Sequence, residues 1–196
     1  MSGPCCKALV RPHLEYANST WNPYRKADII SIENVKKRAT KMLPSLKNLT
    51  YEERLKSLEL PILRFRRLRG DIIEVFKILT GIYDKRVCSD LFGLNLSSTR
   101  GHPFKLKKKR SRLDVRKHFF TNRVIDIWNS LPESVVLAKT LYSFENRLDK
   151  FWANQPMKYD FEAEYVLRSE GSHAQKVQKQ SRIKWCSSAS VLNNHK

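Results

Sequence analysis

Acidic charge is scarce in this chain. Of 196 residues, 19 are Asp or Glu against 38 Lys or Arg, which leaves a net charge of +19. A surplus of that size, with a pI near 10.0, implies an anionic partner. Glycine is also rare, at 6 residues. No Walker A loop, no GxGxxG and no GxSxG elbow occurs, so the usual backbone cradles for phosphate and the hydrolase nucleophile are missing. The 4 cysteines, Cys5, Cys6, Cys88 and Cys186, form no CxxC pair. Four converging ligands for a structural zinc are therefore not expected. No 18-residue apolar run exists, which argues against a spanning helix. The opening MSGPCCKALVRPHLEY has no apolar core of a signal peptide. The reading is an intracellular chain, nuclear or cytoplasmic and not secreted. Its sequons at Asn18, Asn48 and Asn95 then carry no meaning.

Catalytic carboxylates are equally hard to find. The eight aspartates, at 28, 71, 84, 90, 114, 126, 149 and 160, are dispersed, with no adjacent pair and no D-x-D. Two-metal phosphoryl transfer needs acids holding ions about 3.5–4 Å apart, and nothing here signals it. Cys88 with His102 or His118 is the nearest thing to a nucleophile pair, and an incidental cysteine explains it better. No small-molecule substrate is indicated.

What the chain does hold is a core. It is 41% apolar, with 4 Trp, 9 Phe and 7 Tyr, which places it among folding sequences. The patterning is helical. Leu9, Val10, Leu14, Tyr16 and Trp21 line one side of a helix broken near Pro12. Asp28 opens a helix running to Leu43, with Ile29, Ile32, Val35, Ala39, Met42 and Leu43 inward. Thr50 and Glu53 form a capping box for a short helix over 51–58. Phe65, Leu68, Ile72, Val75, Phe76 and Leu79 make the longest periodic stripe, over 62–80, with Gly81 as its C′ stop. Gly70 inside it costs about 1 kcal/mol relative to Ala, which implies close packing there. Residues 81–100 read as loop and 104–107 as an extended piece or hairpin edge. A helix is expected over about 114–130, with Val115, Phe119, Val124, Ile127, Trp128 and Leu131 buried. Another is expected over 141–152, N-capped by Thr140. After Trp152 the periodicity weakens, and 153–196 read as a mostly disordered tail. The fold class is mainly α, with a small β-hairpin near 104–112.

The basic residues cluster. From Arg100 to Lys117 there are nine cations and one acid, Asp114. Arg64, Arg66, Arg67 and Arg69 crowd another helix, and Lys36, Lys37, Arg38 and Lys41 a third. Phe119-Phe120 follows the first cluster, as a stacking group beside a phosphate-tracking surface would. Phe119 falls on the apolar stripe and reads as core. Trp21 and Trp128 do too.

Several segments occur in a telling order: LVRPHLEYANSTWNPY (9–24), ENVKKRATKMLP (33–44), YEERLKSLELPILRFRRLRGDIIEVFKILTG (51–81), RGHPFKLKKKRSRLDVRKHFFTNRVIDIWNSLPESVV (100–136) and SFENRLDKFW (143–152). Together they resemble the region C-terminal to the palm in reverse transcriptases of jockey-like non-LTR retrotransposons. The resemblance covers about residues 8–155. It implies a polymerase that copies element RNA from a nick in target DNA using Mg²⁺. It divides the chain into a partial thumb-like helical region (1–60), a basic helical C-terminal region (61–152) and the tail (153–196). The family's aromatic-Ala-Asp-Asp palm motif and the endonuclease acids are absent. The chain is thus expected to be a truncated copy that binds no cofactor and is inactive alone. Charge, rather than any family motif, nominates Lys36, Lys37, Arg38, Arg64, Arg67, Arg100, Lys107, Lys108, Lys109, Arg110 and Arg112 as contacts to an RNA or DNA backbone. The alternative is a host-recruited, non-catalytic basic adaptor for nucleic acid or protein.

Overall fold

A computed structural model describes residues 8, 10–84, 86, 90–95, 101–163 and 165–166. Helices dominate it. In chain order they are α1 (Arg11–Glu15), α2 (Lys26–Lys41), a 3-10 turn (Pro44–Leu46), α3 (Tyr51–Ser57), α4 (Leu63–Leu79), α5 (Asp114–Lys117), α6 (Phe120–Arg123), α7 (Ile125–Asn129), α8 (Glu133–Val136), α9 (Leu141–Phe151) and a second 3-10 turn (Pro156–Lys158).

Helix α4 is the spine. Its buried Phe65, Ile72, Val75 and Phe76 follow the helical repeat and meet Phe144, Leu148 and Trp152 at α9. Phe76 stacks on Phe144 at 4.1 Å, and Phe65 meets Trp152 edge-on at 5.8 Å. Trp128 of α7 completes the cluster. Its indole N–H donates to the Phe104 carbonyl at 2.8 Å, which satisfies its one polar atom inside the core. Local signals placed several ends correctly. The Thr50–Glu53 capping box is present in both directions, and Thr50 sets the start of α3. Thr140 caps α9 by accepting from the Ser143 N–H. Gly81 follows α4 with φ at +73°, a region open to glycine. A Cβ on Gly70 would lie 3.2 Å from the Asn18 amide nitrogen, the close approach that its presence implied.

Several expectations change. Helix α2 turns a polar face inward: Glu33, Lys36 and Thr40 are buried while Val35 and Met42 are exposed. The reason is a stitch to the α3–α4 connection. Glu33 accepts from the Tyr51 hydroxyl and, at 3.0 Å, from the Leu63 N–H at the start of α4. A carboxylate there satisfies an orphan donor and faces the positive end of the helix dipole. Trp21 is also exposed, with the Arg67 guanidinium 4.3 Å from its ring.

The single helix expected over 114–130 is three short ones, with Phe119 extended between α5 and α6. The break moves the register. Phe119 is 49% exposed, and Phe120 takes its place in the core at 8%. No hairpin forms within 104–112. Leu106 instead makes an isolated antiparallel bridge with Leu94. Finally, residues 153–163 and 165–166 pack rather than trail. Met157 is 1% exposed within the core, and the Lys158 carbonyl accepts from the Ile62 N–H at 3.0 Å. The rest of the expected tail, 167–196, lies outside the described residues.

Candidate nucleic-acid interface

The basic strip is held in extended pairing where it passes the core, at residues 105–107. On one edge, the Asn95 N–H donates to the Lys105 carbonyl and the Lys107 N–H to the Gly93 carbonyl, both at 2.7 Å. On the other, the Asn129 side chain acts as a strand partner. Its Oδ1 accepts from the Leu106 N–H at 2.8 Å, and its Nδ2 donates to the Leu106 carbonyl at 2.9 Å. Leu106 points into the core, so Lys107 is left outward by the twofold alternation of extended chain. His102 anchors the start of the strip. Its Nε2 lies 3.1 Å from the Trp128 carbonyl and donates to it, and burial lowers its pKa.

Beyond Leu106 the strip carries Lys107, Lys109, Arg110 and Arg112, all exposed and none ion-paired among the described residues. Lys108 differs, because its ammonium pairs with Asp126. A groove of about 210 Å³ runs beside the strip. Lys107, Lys109, Arg116 and Phe119 line it, together with Asp90 and Phe92. Phe92 is fixed there by an edge contact to Phe120 at 5.8 Å. The Arg116 guanidinium sits 5.3 Å from the Phe119 ring centre.

The turn that carries Phe119 is braced from below. Asn122 Nδ2 donates to the Arg116 carbonyl at 2.7 Å, replacing the helical bond lost at the break. Arg123 Nη1 donates to the His118 carbonyl at 3.3 Å. Arg123 is itself clamped on buried Asp71 of α4, with Nε 2.8 Å from Oδ2 and Nη2 2.9 Å from Oδ1. Its Nη2 also reaches the carbonyls of Asn18 and Ser19. One guanidinium therefore joins α4, the N-terminal segment and the groove turn.

The nominated residues divide. Lys107, Lys109, Arg110 and Arg112 lie together on the strip, with Lys108 beside them but paired. Lys37, Arg38 and Arg64 are exposed elsewhere, on α2 and α4, and none of them lines the groove. Arg100 lies outside the described residues. Lys36 and Arg67 are withdrawn from solvent and are corrected as phosphate contacts. Lys36, 7% exposed, donates from Nζ to the Pro61 carbonyl. Arg67, 4% exposed, donates to the Leu14 carbonyl at 2.9 Å, and burial lowers its pKa. Both spend their charge on orphan carbonyls inside the fold, so neither presents it to a ligand. Arg116 and Phe119 were missed as site residues. The helical stripe placed Phe119 inward, and only the break at His118 shows otherwise.

Among the described residues no group of three His, Cys, Asp or Glu converges as metal ligands do. No described helix is long and apolar enough to cross a membrane. Comparisons with protein-family models, curated proteins and solved structures find no match.

Proposed function

We propose that this chain is a non-catalytic piece of a non-LTR retrotransposon reverse transcriptase, taken from beyond the palm, that grips RNA or DNA by its phosphate backbone. The observation that supports the grip is the run of exposed cations Lys107, Lys109, Arg110 and Arg112, none ion-paired among the described residues, of which Lys107 and Lys109 line a groove. Four exposed cations within six residues can each meet a phosphate of a nucleic-acid backbone. Arg110 and Arg112 add planar donors that can engage a phosphate in two bonds. The family reading rests on the sequence segments between residues 9 and 152. Without the palm acids, the chain binds and does not polymerise.

The test is an anisotropy titration of labelled RNA and DNA between about 50 and about 200 mM salt. Four phosphate contacts predict a slope of log affinity on log salt of roughly −3, since each is worth about 0.7 on a single strand and 0.9 on duplex. A flat response overturns the backbone grip. Primer extension on primed RNA with Mg²⁺ is expected to match a no-protein control, and extension above it overturns the non-catalytic reading.

A further inference from the structure

We infer that Phe119 is a base-stacking platform, so that the groove takes single-stranded nucleic acid in preference to duplex. The inference rests on the backbone-binding reading and adds to it a choice of strand state.

Phe119 is an aromatic ring held half in solvent by a rigid turn. Its backbone carbonyl accepts from the Asn122 N–H at 2.9 Å and the Arg123 N–H at 3.0 Å. The turn is further fixed by the Asn122 and Arg123 side chains. The neighbouring ring of the turn, His118, is already stacked on Tyr24, with centroids 4.5 Å apart and planes 7° from parallel. Phe120 is occupied with Phe92. Among the described residues Phe119 alone of the three rings has no ring partner, and it faces the groove. At about 210 Å³ the groove far exceeds the ~15 Å³ that seats one water.

The charges around the ring suit this ligand. Lys107 and Lys109 line the same groove, so a backbone tracked by the strip brings its bases toward Phe119. The Arg116 guanidinium lies over one face of the ring at 5.3 Å, leaving the other face for a base and adding a second planar surface. In a duplex the base faces are covered by their neighbours, and only the backbone reaches the strip. In a single strand a face is free, and every base has one, so the preference carries little sequence dependence.

The experiment compares the full chain with Phe119→Ala and Phe119→Trp. The probes are single-stranded dT and U oligonucleotides and a duplex of equal length, read by anisotropy at one salt concentration. Phe119→Ala should weaken single-strand binding by about 5- to 150-fold. It should leave duplex binding within about twofold, because the strip is untouched. Phe119→Trp should restore the single-strand affinity. The exposed ring carries little of the core, and unchanged circular dichroism checks that the variants fold. A loss confined to U assigns the strand as RNA, and one confined to dT as DNA. Equal affinity of Phe119→Ala and the parent for both strands overturns the inference, and so does an equal loss on strand and duplex. A Lys107→Gln/Lys109→Gln variant separates the two levels. If it loses affinity for every probe while Phe119→Ala loses none, the backbone grip stands and the platform falls.

Discussion

Replacing Arg123 by Met should lower folding stability by about 3 kcal/mol at pH 7, the low end of what breaking a buried ion pair costs. The magnitude follows from what Asp71 keeps. Its side chain is 1% exposed and lies between Arg123 and Asn18. Without Arg123, Oδ2 loses its donor at 2.8 Å, while Oδ1 keeps the Asn18 amide at 3.2 Å. Arg67 remains near enough to favour the charge. The variant therefore leaves a buried carboxylate half-satisfied rather than bare. Burial already raises the Asp71 pKa, with Arg123 opposing, and removing Arg123 raises it further. In the variant the folded pKa lies above the unfolded value of about 3.9, so the penalty is full above the folded pKa and shrinks as pH falls through it. Urea unfolding followed by circular dichroism should give a larger deficit at pH 7 than at pH 5. An Asp71→Asn/Arg123→Met double variant should recover at least about 1.5 kcal/mol relative to the sum of the singles. If Arg123→Met costs under about 0.5 kcal/mol, or if the singles simply add, the clamp on the groove turn is not what holds it.

Gly70→Ala tests the contact under α4. Helix propensity favours Ala by about 1 kcal/mol. The new Cβ would press on the Asn18 amide at 3.2 Å, and that amide is pinned by bonds to the Arg67 carbonyl and Asp71. Net destabilisation by about 1 kcal/mol is expected in the parent, turning to a gain in an Asn18→Ala background; a gain in both would mean the amide gives way freely. His102 predicts a pH dependence of the opposite sign to that of unpaired Asp71. Its folded pKa is lowered by burial, and its Nδ1 has no partner among the described residues. The unfolded chain binds the proton first, so stability should fall as pH drops below about 6.5, by up to about 1.4 kcal/mol per unit. His102→Gln should remove that slope, and a slope unchanged in the variant would assign it to another group.

Helix ends and the main stripe were legible because their signals are local. The Thr50 and Thr140 caps, Gly81 and the Phe65–Phe76 repeat each work within a turn or two of chain. The strip was legible as charge and not as shape. Its backbone partners are Gly93, Asn95 and the amide of Asn129, the last 23 residues from Leu106. Nothing in an asparagine marks it as a strand partner. The buried polar face of α2 escaped for a related reason. Periodicity counts apolar residues, and Glu33 and Lys36 are inward because they satisfy backbone groups of a connection far along the chain. Phe119 was misplaced because a one-residue extension at a helix break turns two adjacent rings in different directions.

On the proposed reading, the strip carries the nucleic-acid contact. The most direct measurement is the salt dependence of RNA binding for the parent, for Lys107→Gln/Lys109→Gln/Arg110→Gln/Arg112→Gln and for Lys108→Gln. The quadruple variant should flatten the log–log slope by about 3, nearly all of it. Lys108→Gln should change it by less than about 0.5, since Asp126 already neutralises that ammonium. A quadruple variant with the parent's slope would place the contact elsewhere and rule out the strip as the grip.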